Sequence, residues 1–218
     1  MYDVARPALR RLTGADASTL DALYAELATV HEQLRAEAGD RPSAGALVQA
    51  PLIYLLVRAL RPRGVIETGI SSGYSARLIL EALARNGSGH LDSIGIDVFG
   101  MTQNRGAKDL REAGLHVGWL VPDRLAPWWT LHLGTSQERL PPLLAQRSAP
   151  LDLFLHDSLH QYPTMSWEYS TALPALAKGG LLASHDVHAN AAWTDFLRDH
   201  GLLHDEELDH DLGVVRLP

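Results

Sequence analysis

The sequence predicts an α/β fold: a doubly wound sheet, mostly parallel with an antiparallel last strand, behind an N-terminal helical cover. Three observations predict it. Short β-branched runs alternate with apolar-periodic segments from Gly64 onward. The first such strand enters its helix through a glycine-bearing junction, GVIETGISSGYSARLILEAL. Two later apolar strands each close on a His-Asp pair, at His156-Asp157 and His185-Asp186. In open sheets of this kind ligands sit outside the carboxyl ends of the strands.

Taken in order, Leu20, Leu23, Leu27, Val30 and Leu34 recur at three- and four-residue spacing, so residues 18–38 read as a helix with Ser18 as N-cap. After AGDRPSAG a second apolar helix, 46–60, carries Pro51 early and ends against RPRG. Residues 1–60 thus form helices placed as a lid, and 61–218 form the strand-and-helix body of one compact domain. The strand at 91–98 follows the glycine junction and its helix. A short helix at 105–114 comes next, then an irregular aromatic insertion, HVGWLVPDRLAPWW. A strand at 130–134 runs into GTSQERLPPL, where a helix is capped by Ser136 with Arg139 beyond it, or by Thr135 and Glu138 as a capping box. LDLFLHD, 151–157, is apolar on both faces, as an interior parallel strand should be. A helix at 166–177 is stopped by KGG, a fifth strand spans 181–186, and a helix at 191–200 ends at Gly201. The tail holds two more strands, of which GVVRL is the clearer.

Composition narrows the function. At 218 residues and 46% hydrophobic content, one well-buried domain is expected. A net charge of −7 without a lysine or arginine run argues against nucleic acid as partner, since that affinity comes largely from neutralising phosphates. A small-molecule substrate is expected instead. The absence of cysteine excludes disulfides and thiolate metal sites. No apolar signal core and no membrane-spanning window is present, which predicts a soluble cytoplasmic protein with no membrane partner. An isologous homodimer, or a higher homo-oligomer, is the default assembly.

Glu67, Gly69 and Gly73 form an E-x-G-x-x-x-G frame. A dinucleotide fold would have G-x-G-x-x-G, and Glu67 would repel a pyrophosphate, whereas a cationic ligand would suit it. A glycine turn that only lets the helix pack on the sheet is the alternative. Asp97, at the end of the second strand, is placed for ribose hydroxyls or serves as a turn residue. Four of the eleven histidines and two aspartates fall within HDSLHQY and SHDVHAN, a metal or acid-base candidate. Local turn hydrogen bonds and loop caps are the alternative. Metal-dependent phosphohydrolases also carry His-Asp pairs, but on helices.

The E-x-G-x-x-x-G frame resembles the first motif of the class I S-adenosylmethionine (SAM) dependent methyltransferases, which are Rossmann-like. GTSQERLPPL resembles the adenine-contacting segment of the catechol and caffeoyl-CoA O-methyltransferases. Asp157-x-x-His160, a helix, GG, a strand and His185-Asp186 are similar to the metal-dependent O-methyltransferases of the macrolide-sugar and cephalosporin hydroxylase-like group, methyltransferase family 24-like. The resemblance covers residues 64–190. It implies SAM contacts at Glu67, Gly69, Ser71, Gly73, Tyr74, Ser75, Asp97, Ser136, Gln137 and Asp157. It also implies a divalent metal, magnesium or manganese, on Asp157, His185 and Asp186. His160 and Asp157 would be catalytic, with His160 as general base toward a hydroxyl of a sugar or secondary metabolite. Trp128, Trp129, Trp167 and Tyr162 are candidate walls for that acceptor. His185 departs from the pattern, which has a carboxylate there. Imidazole suits zinc or another transition metal better than magnesium, so the site takes a different metal, holds magnesium through fewer oxygens, or holds none. A metal-independent methyltransferase and a non-catalytic SAM-binding protein are the rival readings.

Overall fold

Along β1 (Gly64–Thr68) and β4 (Leu151–His156) successive side chains enter opposite cores, which is why both read as unbroken apolar runs. Val65, Leu153 and Leu155 join one apolar cluster, and Ile66 and Phe154 join the other. The computed structural model describes residues 5–41, 51–97, 110–202, 204–209 and 211–218. The other strands are β2 (His90–Gly95), β3 (Trp129–Leu133), β5 (Leu176–Ser184), β6 (Asp205–Asp209) and β7 (Leu212–Arg216). Together they form one seven-stranded sheet in the order β3-β2-β1-β4-β5-β7-β6. β1 to β5 pair in parallel, β7 runs antiparallel to β5, and β6 runs antiparallel to β7. The chain winds outward from β1 to β3 and then returns to β4 on β1's other side, which makes the carboxyl ends of β1 and β4 the switch point where sheets of this kind place their ligand crevice.

One face of the sheet packs against α1 (Arg6–Thr13), α2 (Ala17–Ala38), α3 (Pro51–Leu60) and α4 (Tyr74–Asn86). The other packs against α5 (Ser136–Ala145), α6 (Tyr162–Ala172) and α7 (Ala192–Asp199). Arg77 of α4, only 2% exposed, ties the helical cover down: it pairs with Glu81 and with Glu37 of α2, each at 2.8 Å, and donates to the Leu120 carbonyl. Among the described residues no helix is long and apolar enough to cross a membrane.

Several boundaries differ from the sequence reading. The N-cap of α2 is Asp16, not Ser18: its carboxylate accepts from Thr19 N at 2.7 Å, and Ser18 turns back to it. α1 was not foreseen; its single buried stripe, Ala8, Leu9 and Leu12, is too short for periodicity to reveal. The helix expected at 166–177 starts earlier, with Pro163 in its first turn, and ends at Ala172 before a 3-10 turn. KGG does not stop that helix but lies inside β5, where Gly179 has φ +74° and the register with β4 shifts between Leu151 and Leu153. The aromatic insertion includes a 3-10 helix, Asp123–Trp128, and hands Trp129 to β3. Residues 46–50, Val98 and 105–109, part of the expected second helix, second strand and short helix, lie outside the described residues; 110–112 are helical.

Candidate active site

β1 ends at Thr68, and the next turns need glycine. Gly69 has φ +85°, and a Cβ there would lie 1.9 Å from the Asp157 carbonyl oxygen. Gly73 has φ +88°, with its would-be Cβ 2.9 Å from Gly118 Cα. The loop is backed by the aromatic insertion, because Gly118 N donates to the Ser71 carbonyl and Leu120 N to the Ser72 carbonyl. Ser71 itself is exposed, at φ +44°. Beneath the loop Glu67 is wholly buried and accepts from Ser75 Oγ at 3.0 Å and Ser93 Oγ at 2.6 Å. Burial pushes its carboxyl up to about 7; the two serine hydrogen bonds oppose the shift and the charge of Asp157 adds to it. Tyr74 opens α4 but is buried in the core, its ring 6.3 Å from that of His31 on α2. Asp97 is exposed just past β2, beside the exposed Ile96.

At the mouth of α5 the Thr135–Glu138 capping box forms, with Glu138 N donating to Thr135 Oγ1 and Thr135 N to Glu138 Oε2. That leaves Ser136 free of capping duty. It is buried and donates to Gln137 Oε1 at 3.2 Å, and it lies near enough to Glu168 to help lower that carboxyl's pKa, while Gln137 is exposed.

At the ends of β4 and β5, Asp157, His160 and Asp186 each bring a ligand atom within 4.8 Å of the others. His160 Nδ1 lies 3.0 Å from Asp186 Oδ2. Its Nε2 lies 3.5 Å from Asp157 Oδ1, too long for a good hydrogen bond, and is buried without another partner. Burial disfavours the charged imidazole, but the Asp157 contact and the charges of Asp186, Asp157 and Glu168 outweigh it and hold the His160 pKa above its ordinary value. Two carboxylates and an imidazole are a donor set that manganese, zinc or iron accepts and that magnesium would use through its oxygens alone. His185 is not in this group. It is 4% exposed, with its Nε2 buried and unpartnered and its backbone N–H donating to the His156 carbonyl. β5 ends at Ser184 and the chain turns at Asp186, which has φ +53°, so the adjacent His185 and Asp186 part company.

Of the aromatic residues, Trp128 and Trp129 pack on the α1–α4 core and Trp167 on the other. Tyr162 is exposed, its hydroxyl donating to Asp195 Oδ2 at 3.1 Å, and Leu159, between Asp157 and His160, is 53% exposed. Sequence reasoning missed the buried Glu168 below the acid-histidine group, which gathers His156, Thr68 and the part-buried Ser158. The signal was a glutamate amid the aromatic residues of MSWEY, eight positions after His160.

Residues 66–187 match the family model Methyltransf_24, described as a methyltransferase domain. That span holds the glycine loop, the capping box and the acid-histidine group. No match is found among curated proteins. Solved structures of similar fold include the O-methyltransferase TomG of Streptomyces achromogenes, from tomaymycin synthesis, in complex with SAM: 20% identity, 99% of this chain and 96% of that one, TM-score 0.52. An O-methyltransferase of Bacillus cereus in complex with S-adenosylhomocysteine (SAH) is 13% identical over 100% of this chain and 98% of that one, TM-score 0.53. The SAH-bound methyltransferase PaMTH1 of Podospora anserina is 14% identical over 94% and 97%, TM-score 0.56. With the family model covering more than half of its length, the chain belongs to the Methyltransf_24 methyltransferases.

Proposed function

We propose that this methyltransferase transfers the methyl group of SAM to a hydroxyl of a small molecule, a sugar or a secondary metabolite. The observation that carries the reading is the contact of Gly69 with the Asp157 carbonyl, which sets the glycine loop directly against the acid-histidine group. In this reading SAM lies along the loop from Glu67 to Ser75 and reaches Asp97 with its ribose and Ser136 and Gln137 with its adenine. The acceptor enters from the side of Asp157, Leu159 and Asp186. Its oxygen attacks the methyl carbon in line, the carbon–sulfur bond breaks, and the acceptor proton passes to His160, giving a methyl ether and SAH. Alignment of the two reactants contributes the larger part of the acceleration. TomG and the B. cereus enzyme, both O-methyltransferases of this fold, support a hydroxyl acceptor.

Asp157 and Asp186 would supply the oxygens for a divalent cation, leaving His160 beside them as the base. Such a cation would lower the pKa of an acceptor hydroxyl bound to it. One observation favours a second, metal-independent reading: Asp186 already orients His160 from 3.0 Å, as a carboxylate orients a general base.

Calorimetric titration of metal-stripped protein with SAH, repeated with magnesium, manganese and zinc, tests both. SAH binding with a separate metal heat that Asp157→Ala abolishes is expected. SAH binding with no metal heat selects the second reading, and no SAH binding overturns the function. His160→Ala should retain SAH affinity and lose transfer.

A further inference from the structure

Glu168 has no role in the chemistry proposed above, yet it is a wholly buried carboxylate with an unusual set of partners. Its Oε2 accepts from Thr68 Oγ1 and from His156 Nδ1 at 2.6 Å, and its Oε1 accepts from Ser158 Oγ at 2.7 Å. Ser136, whose hydroxyl hydrogen goes to Gln137 Oε1, lies beside it and helps hold its pKa down. An ionised carboxylate can only accept, so Thr68, Ser158 and His156 must each turn a hydrogen toward it, and His156 is held as the Nδ1–H form. These neighbours come from separate pieces of the site. Thr68 precedes Gly69, His156 and Ser158 flank Asp157, and Ser136 opens α5. Glu168 reaches them from α6, so one side chain is bonded to the start of the glycine loop and to the Asp157–His160 turn and lies against the corner assigned to adenine.

We infer that Glu168 is a positioning residue that holds the methyl-donor side and the acid-histidine side of the crevice in one register. It acts through Thr68, Ser136 and Ser158 and touches neither reactant. This rests on the assignment of the glycine loop and Ser136 to SAM made above. A carboxylate that only filled the core would affect the stability of the fold and leave the donor affinity of folded protein unchanged. A positioning carboxylate affects both.

The test is SAH titration of the full chain, wild type, Glu168→Gln and Glu168→Leu, each well below its own melting temperature. Leucine leaves buried donors unpaired, a penalty that corresponds to a loss of affinity on the order of tenfold or more when it falls on the bound geometry. Glutamine keeps an acceptor for Thr68 and His156, and its amide can donate to serine hydroxyls that turn to accept. Glu168→Gln should therefore stay within about threefold of wild type while Glu168→Leu falls about tenfold or more. Wild-type affinity in folded Glu168→Leu, or equal loss in both variants, overturns the inference.

If Glu168→Leu does not fold, Ser136→Ala and Ser158→Ala, singly and together, replace it. The two serines sit on different loops and meet at Glu168, so their effects on SAH affinity should be non-multiplicative by about threefold or more. Independent losses overturn the inference. Wild-type protein that fails to bind SAH overturns the proposed function itself, whereas wild-type binding with undiminished variants overturns only the role of Glu168.

Discussion

Replacing Glu67 by glutamine should change how stability depends on pH. The Glu67 carboxyl is wholly buried, and burial raises its pKa from 4.5 to about 7 against the pull of Ser93 and Ser75. Between those two values the folded chain keeps a proton that the unfolded chain has released. The native state then binds more protons, so the unfolding free energy falls as pH rises through this window. The gap from 4.5 to about 7, at about 1.4 kcal/mol per unit, amounts to roughly 3 kcal/mol. Urea unfolding of wild type and Glu67→Gln at half-unit steps from pH 4.5 to 8 isolates it, because the difference between the two proteins removes what they share. His160, also raised, contributes stability that is lost as pH rises through its own elevated value, and this cancels in the difference. Glu26, Glu81 and Glu168 are lowered, so their contribution is lost only as pH falls below the ordinary glutamate range. The wild type should lose about 3 kcal/mol relative to the variant by pH 8. A difference flat to within about 0.5 kcal/mol would refute the account of Glu67 as a desolvated carboxyl. A cationic donor beside it favours the ionised form, so SAM binding near pH 6.5 should release protons.

Two further substitutions test the frame of the site, beside the metal, His160 and Glu168 experiments given above. Gly69→Ala puts a methyl group 1.9 Å from the Asp157 carbonyl oxygen at φ +85°, where an L-residue alone costs about 1–2 kcal/mol. The β4 backbone must move, so we expect a loss of about 3 kcal/mol or more in denaturant unfolding together with loss of SAH binding; an unchanged midpoint and affinity would contradict the contact. Thr135→Ala removes one half of the α5 capping box and should cost about 1 kcal/mol by the same measurement, with no loss indicating that the cap contributes nothing.

The parts of the molecule legible in the sequence were those written in local rules. Gly69 and Gly73 stood in a frame that calls for a sharp turn whether or not a ligand follows, and both adopt left-handed backbone. The interior strands showed themselves because both faces are buried, and Asp157 and Asp186 because each follows such a strand within two residues. What could not be read depends on contacts between distant residues. Glu168 gains its place from Thr68, a hundred residues away, and no spacing rule reaches that far. His185 was grouped with Asp186 by the resemblance, but among the described residues only Asp186, where the backbone turns left-handed, joins Asp157 and His160. KGG read as a helix stop because glycine breaks helices, and the same glycines serve a register shift in β5. Ser18 and Asp16 are both good caps, and the distance to Thr19 N selected Asp16.

The backbone contact between the two sides of the crevice has a mechanical consequence. Asp157 N donates to the Thr68 carbonyl at 2.8 Å, and the missing side chain of Gly69 lets the two chain segments touch. In the proposed reaction the span between a donor on the loop and an acceptor near Asp157 is set by the β1–β4 ladder, at the centre of the sheet. Such a site arrives preorganised, and movement elsewhere in the chain can govern entry, release and exclusion of water without resetting the distance over which the methyl group travels.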